Sequence, residues 1–233
     1  MQPHTGADLD FAQEVRQGLL VMPGLTRIPQ CRRFTVLYSA ESSADTVFFL
    51  ESGLVKIVKK GDDNKEVLLN LIRPGEIFGE DALLCGGFRS TSAEVLQEGS
   101  VVVVPKDIFR RFCTDRPDMW RLVAEMLARR EQELQQKIEL LLLRDVEQRI
   151  LIYLAELAEA VGTPSEGGSL SVQFSQGEIA SLVGATRETT SSILNALARR
   201  ELVQLGRRRM LVSTPGRLRE VAYAPRVKTA ATV

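Results

Sequence analysis

The sequence predicts an α+β chain in three parts: an antiparallel β-roll over residues 1–116, a long helix over 117–144 and a winged helix-turn-helix over 145–233. Three observations carry that prediction. Strand-sized runs of β-branched and large apolar residues, separated by turn signals, fill the first half. A helical stretch with apolar residues near heptad spacing follows, and two short amphipathic helices broken by Gly184 lie in the last third. At 233 residues, 44% apolar and 26% charged, the chain has room for two ordinary globular cores.

Residues 7–20 read as a short helix, after which Met22, Pro23 and Gly24 mark a change to extended chain. Strands are expected at 33–37, 46–50, 54–58, 67–71 and 101–104, with reversals at 51–53, 61–64 and 73–75, all rich in Gly, Asp, Asn, Ser or Pro. Within this roll, GEIFGEDALLCGGFRS over residues 75–90 stands apart. An arginine beside hydroxyls and backbone N–H groups makes an anion cradle, and a glutamate opposite can accept from a ribose hydroxyl. Gly79, Glu80, Arg89 and Ser90 therefore suit a sugar phosphate, although an internal Glu80 to Arg89 ion pair would account for the same residues.

From Pro117 the pattern is helical, and Val123, Leu127, Leu134, Ile138 and Leu141 form a stripe interrupted by Arg130 and Glu131. Such a stripe either packs on its own roll or pairs with a second copy; its length past any roll surface favours a twofold homodimer. Leu143, Arg144 and Asp145 form a hinge, Asp145 caps the next helix, and Ile150, Leu154, Leu157 and Val161 give that helix one apolar face. Residues 162–168 read as a plain loop, and the tail after Pro225 as loose chain.

In the last third, Ser175 with Glu178 forms a capping box, and Thr186 caps a second helix. Ile179, Leu182 and Val183 face Ile193, Leu194, Leu197 and Leu202 across an apolar seam, the helix-turn-helix pattern. The outward face of the second helix carries Arg187, Glu188, Thr189, Ser191 and Ser192. Arginine can bond guanine N7 and O6 together, glutamate can accept from the cytosine amino group, and hydroxyls reach phosphates or bases. Ser175 and Gln176, at the start of the first helix, are further candidates for DNA contact. A solvated helical hairpin would also explain the polar face, but charge weighs against it. Residues 187–228 hold ten Lys or Arg against three Glu, in a chain that balances thirty against thirty overall. Arg207, Arg208 and Arg209 sit at the tip of a wing hairpin, where they suit phosphate clamping.

Other classes fit poorly. There is no Ser-His-Asp set in a plausible context, no metal-ligand spacing and no nucleotide-triphosphate loop. No run approaches the ~18 apolar residues of a membrane helix, and Cys31, Cys85 and Cys113 are odd in number and widely spaced, as in a reducing compartment. A cytoplasmic protein is expected. A nucleotide-binding module serving some other machine is the non-transcriptional rival, and residues 174–209 speak against it.

The order of roll, GEIFGE…RS, long helix, DVxxR, TRETTSSIL and basic wing resembles the cyclic-AMP receptor and fumarate-nitrate regulator (CRP/FNR) family of bacterial transcription factors over nearly the whole chain. The resemblance implies a cytoplasmic homodimer that binds palindromic double-stranded DNA under control of an effector in the roll. It also implies contact with RNA polymerase, often through the 162–169 loop. Arg187 and Glu188 match the family's base-reading pair, Ser175 a phosphate-contacting hydroxyl, and a TGTGA-like half-site follows. Ser192 replaces a further arginine of cyclic-AMP-responding members, which loosens preference at one base pair by roughly 1–3 kcal/mol. Gly79, Glu80, Arg89 and Ser90 match the nucleotide cassette, with Glu80 for ribose and Arg89 for the cyclic phosphate. Arg130 is a positive partner near Glu80, while Leu134 and Gln135 replace the hydroxyl pair that contacts adenine. The resemblance therefore points to cyclic AMP or another cyclic nucleotide, with a different effector, or none, as the alternatives. Neither metal nor haem is expected, since the one histidine is His4 and no N-terminal cysteine cluster exists.

Overall fold

The computed structural model describes residues 6–61, 66–83, 87–165, 169–206 and 209–224. They divide into two compact units that part between Leu134 and Gln135.

The first unit opens with helix α1 (Gly6–Gln17) and a short 3₁₀ turn, Leu19–Val21. Eight strands follow: β1 (Thr26–Cys31), β2 (Val36–Tyr38), β3 (Thr46–Leu50), β4 (Leu54–Lys60), β5 (Glu66–Ile72), β6 (Ile77–Phe78), β7 (Ser92–Gln97) and β8 (Gly99–Pro105). They form two four-stranded antiparallel sheets, ordered β1-β8-β3-β6 and β2-β7-β4-β5. The apolar run in β3 is explained by burial on both faces. Val47 and Phe49 join a cluster with Val102, Val104, Phe109, Phe112, Met119 and Val123, while Phe48 and Leu50 join Val55, Ile72, Phe78, Val95 and Val101. The first cluster ties the roll to α2 (Lys106–Asp115) and to the beginning of α3 (Pro117–Leu143); the second lies between the sheets.

Three elements here escape the sequence pattern. Strand β1 contains Arg27, Pro29 and Gln30, is largely exposed, pairs with β8 alone and shifts register between Ile28 and Cys31. It is an edge strand, the place where proline and polar residues are tolerated in a sheet. Strand β7 buries only Ala93, Val95 and Leu96 in a short polar-flanked run, and α2 is an amphipathic decamer whose buried stripe is Phe109, Phe112 and Cys113. The strand expected at 33–37 begins later, at Val36, because Phe34 takes a left-handed φ of 70° and interrupts extended chain. The reversal at 61–64 falls mostly outside the described residues.

The long helix covers 27 residues and ends at Leu143, with Asp145 capping α4 (Val146–Val161) through a reciprocal capping box with Gln148. In the second unit, α4 leads into β9 (Thr163–Pro164) and β10 (Leu170–Val172). The stretch read as a plain loop, 162–168, instead contains a short strand, Thr163–Pro164, that pairs antiparallel with β10, Pro164 opposite Leu170 and Thr163 opposite Ser171. Two short helices, α5 (Gln176–Val183) and α6 (Arg187–Arg199), precede β11 (Val203–Gly206), β12 (Arg209–Val212) and α7 (Pro215–Tyr223). The sheet order β11-β12-β10-β9 places the wing hairpin beside the helix pair.

Gly184 turns the chain between α5 and α6 at φ 65°, and a Cβ built there would lie 3.1 Å from Leu141 Cδ2. Replacing it by alanine combines left-handed strain with a tight contact. Gly184→Ala is expected to lower stability by about 1–2 kcal/mol, read as a shifted midpoint in urea unfolding of the full chain; an unchanged midpoint would show that the turn relaxes freely.

Candidate effector site and DNA interface

The cassette is built on β6 and the 3₁₀ turn Glu80–Leu83 that follows it. Gly79 lies between them at φ 74°, and a Cβ there would come within 2.8 Å of Arg89 Nη1 and 3.1 Å of Phe48. Glycine is thus needed both for the conformation and for the approach of the arginine. The Arg89 side chain is completely buried. Its guanidinium lies 4.4 Å above the Tyr38 ring and 5.7 Å from that of Phe48, over a packed trio of Tyr38, Phe48 and Phe78. Nη1 donates to the Gly79 carbonyl at 2.8 Å and to the Asp81 carboxylate; Nη2 donates to the Thr46 carbonyl and, at 3.2 Å, to Thr46 Oγ1. Nε is buried and has no partner.

The Glu80 to Arg89 pair considered from sequence does not form. Arg89 pairs with Asp81, while Glu80 receives Arg130 Nη1 from α3, whose Nη2 donates to the Ile77 carbonyl. The backbone N–H of Arg89 is not free either, since it donates to Ser42 at 2.8 Å. Ser90 is exposed beside the buried Arg89. Tyr38 belongs to the same group: burial pushes its hydroxyl up to about 12, and Asp81 and Glu80 act in the same direction. Leu134 and Gln135 are both exposed, with Leu134 at 45%. Sequence reasoning missed Asp81, Thr46, Tyr38 and Phe48. The acidic pair Glu80-Asp81 before a lone arginine was the available sign for Asp81; no local signal marks Thr46, which arrives from β3.

An orphaned buried Nε fits an anionic ligand on Arg89, whereas Leu134 offers no hydrogen bond to a purine. Among the described residues no group of three or more His, Cys, Asp or Glu is placed to hold a metal. Cys31 and Cys113 are buried, and burial raises both thiols, that of Cys113 to about 12. Neither is a reactive thiolate near neutral pH. His4 and Cys85 lie outside the described residues.

In the second unit, Ser175 caps α5. Its Oγ accepts from the Glu178 N–H at 3.2 Å while Glu178 accepts from the Ser175 N–H at 2.6 Å, which leaves the Ser175 hydroxyl proton available to another acceptor. Thr186 caps α6 by accepting from Thr189 N–H at 3.2 Å and donates to Thr189 Oγ1 at 3.0 Å. The caps and the buried seam of Ile179, Leu182, Val183, Leu194, Leu197 and Leu202 fix which face of α6 points outward. Arg187, Glu188, Thr189 and Ser192 are exposed; Gln176, Ser191 and Ile193 are half-buried. Among the described residues neither the Arg187 nor the Glu188 side chain has a hydrogen bond or ion pair, and Arg209 is exposed at the start of β12. Arg207 and Arg208 lie outside the described residues. Two cations counted in the basic segment have structural partners: Arg200 binds Glu147 at 2.7 Å, and Arg219 holds both Glu159 oxygens at 2.5 and 2.6 Å.

A β-roll with an anion cradle and a winged helix-turn-helix with a polar recognition face define a DNA-binding regulator of transcription with a sensory domain. Residues 30–116 match the cyclic nucleotide-binding domain and residues 148–221 the Crp-like helix-turn-helix domain. The CRP-like cAMP-activated global transcriptional regulator of Mycobacterium tuberculosis is 35% identical over 189 residues, 80% of this chain and 84% of that protein. The cyclic AMP receptor protein of Thermus thermophilus is 29% identical over 177 residues, 76% of this chain and 79% of that one. A solved CRP-family transcriptional regulator, also of Thermus thermophilus and 27% identical, superposes with a TM-score of 0.74 over 87% of this chain and 100% of its own. The c-di-GMP responsive global regulator of Xanthomonas campestris shares the fold, with a TM-score of 0.77 at 21% identity over 87% of this chain and 99% of its own. The chain belongs to the CRP/FNR family of bacterial transcription regulators. No helix among the described residues is long and apolar enough to cross a membrane.

Proposed function

We propose that this regulator works as a cytoplasmic homodimer that binds a palindromic operator, with Arg187 and Glu188 reading bases in each half-site and a cyclic nucleotide in the roll as effector. The observation that carries the reading is the pair Arg187 and Glu188, exposed on the first turn of a helix whose start is fixed by Thr186 and whose back is buried. A helix so presented enters the major groove with its N-terminal side chains toward base edges. Thr189, Ser191 and Ser192 extend the contact, Ser175 and Gln176 reach the backbone from α5, and Arg209 with its neighbours Arg207 and Arg208 clamps phosphate from the wing. Dimerisation is supported by α3, where Leu127, Leu134, Ile138 and Leu141 are exposed in the isolated chain. Their spacing puts leucine at successive d positions and β-branched Ile138 at an a position, the combination that favours two strands. The segment offered to RNA polymerase is residues 162–169.

In the roll, Gly79, Glu80, Arg89 and Ser90 supply the sugar-phosphate side and Arg130 orients Glu80, while Leu134 and Gln135 form the base side. Leu134 favours a second reading, in which the effector is not cyclic AMP, because an apolar side chain stands where a hydroxyl would meet adenine. Fluorescence anisotropy of a labelled TGTGA-type palindromic duplex at fixed salt, beside a scrambled duplex, tests both readings. Tighter specific binding on adding cyclic AMP supports the first, and specific binding indifferent to the nucleotide supports the second. No preference for the palindrome would overturn the operator assignment.

A further inference from the structure

Arg89 is a fully buried cation whose ion-pair partner is supplied by the 3₁₀ turn Glu80–Leu83 that precedes it in the chain. Asp81 gives it a carboxylate, Gly79 and Thr46 accept its remaining Nη bonds, and only Nε is left without a partner. A buried guanidinium needs a counter-anion, because the desolvated charge is otherwise uncompensated. Asp81 is differently placed. Its side chain keeps 20% of its surface exposed, so it can turn to water, while Arg89, at 0%, cannot.

We propose that Asp81 is a built-in counter-anion of Arg89 that competes with the phosphate of a roll ligand and so sets the concentration at which the regulator responds. This rests on the reading above that the roll takes a cyclic nucleotide. A cyclic phosphodiester and a carboxylate each carry one negative charge, so the exchange leaves the net charge around Arg89 unchanged. Both Nη groups are engaged, Nη1 by the Gly79 carbonyl and Asp81 and Nη2 by Thr46, so a phosphate that takes donors from them must displace an acceptor. Asp81 is the one charged acceptor of the set, and its partly exposed side chain is the one that can turn away to water.

The exchange is coupled to the rest of the roll by position. Asp81 lies in the turn Glu80–Leu83; the neighbouring Glu80 holds Arg130 of α3, and the Leu83 carbonyl accepts from Arg110 of α2 at 3.1 Å. Releasing Asp81 loosens one of three ties on that turn, so occupancy at Arg89 is felt by both helices. Asp45 is a further carboxylate near Arg89, but its hydrogen bonds go to Lys106 and Ser43. Asp81 is the only carboxylate among the described residues in direct contact with the guanidinium.

The test is calorimetric titration of the full-length protein with cyclic AMP, comparing wild type, Asp81→Asn, and Asp81→Asn combined with Arg89→Gln. Asparagine keeps the shape and a carbonyl acceptor but removes the charge. Asp81→Asn is expected to bind at least tenfold more tightly than wild type, and the double variant to lose the gain. Equal or weaker binding by Asp81→Asn would overturn the proposal. Inorganic phosphate provides a second readout that does not need the nucleotide reading. In phosphate-free buffer Asp81→Asn should melt below wild type and recover saturably with added phosphate, while wild type and the double variant stay indifferent. If no form binds cyclic AMP but this recovery is seen, the nucleotide reading fails and the counter-anion role stands; if Asp81→Asn does not respond to phosphate either, the role fails too.

Discussion

Arg187→Ala is expected to cut discrimination between a palindromic operator and a scrambled duplex by roughly 30-fold or more while leaving the fold intact. Arg187 is exposed, lies at the first residue of α6 and takes no part in the buried seam, so its removal opens no cavity and leaves no buried charge. If it bonds guanine N7 and O6 together, each half-site loses about 1–3 kcal/mol. A dimer carries two such contacts, so the specific dissociation constant rises by roughly 30-fold at the least. Arg187→Lys should fail to restore it, because an ammonium cannot make the planar two-point contact. The scrambled duplex should bind nearly as before. Arg209→Ala gives the opposite signature: weaker binding to every duplex and a shallower dependence on salt, as for a phosphate contact. These patterns are read by anisotropy over a salt series. If Arg187→Ala weakened both duplexes equally, Arg187 would be a phosphate contact and the base-reading role would fall.

What the sequence made legible was local. The caps at Asp145, Ser175 and Thr186 and the left-handed turn at Gly184 depend on residues within a few positions of one another, and each forms as its spacing implies. Strands β3, β4, β5 and β8 were readable because burial made them continuously apolar or nearly so. Strand β1 was not, since an edge strand with one neighbour and solvent on most positions has no apolar pattern to show. In the effector site the difference is sharper. Gly79, Glu80 and Arg89 stand out within one short segment, yet their ion pairs were not deducible from it. Arg130, fifty residues on, takes Glu80, and Arg89 turns instead to Asp81 and to Thr46, which arrives from another strand. Charge counting had a similar limit: Arg200 and Arg219 add to the positive total of the C-terminal segment but are neutralised by acids of α4. Composition reports which charges exist, while packing decides which remain free to meet a ligand.

Ile138→Glu is expected to convert the protein to a monomer and, with that, to remove tight binding to the palindrome. Ile138 is 55% exposed in the isolated chain and stands between Leu134 and Leu141 on the a and d edge of α3. Burying such a side chain contributes about 1.5–3 kcal/mol, and a twofold pairing contains it twice. The variant forfeits both contributions and also sets two carboxylates against each other in a desolvated seam, so the dimer dissociation constant should rise by more than about 100-fold. Gln136→Glu adds the same charge on the same helix at an exposed position off that edge, and should leave the dimer intact. Sedimentation velocity at micromolar concentration separates the two. The helix itself should survive in both variants, since the substituted positions face solvent in the single chain and glutamate is a good helix former. DNA binding then follows from assembly: a monomer meets one half-site, loses the gain from tethering two recognition helices, and binds the palindrome no better than a single half-site duplex. A dimer that persists in Ile138→Glu would show that α3 is not the subunit contact, and the symmetry assigned to the operator would then need another source.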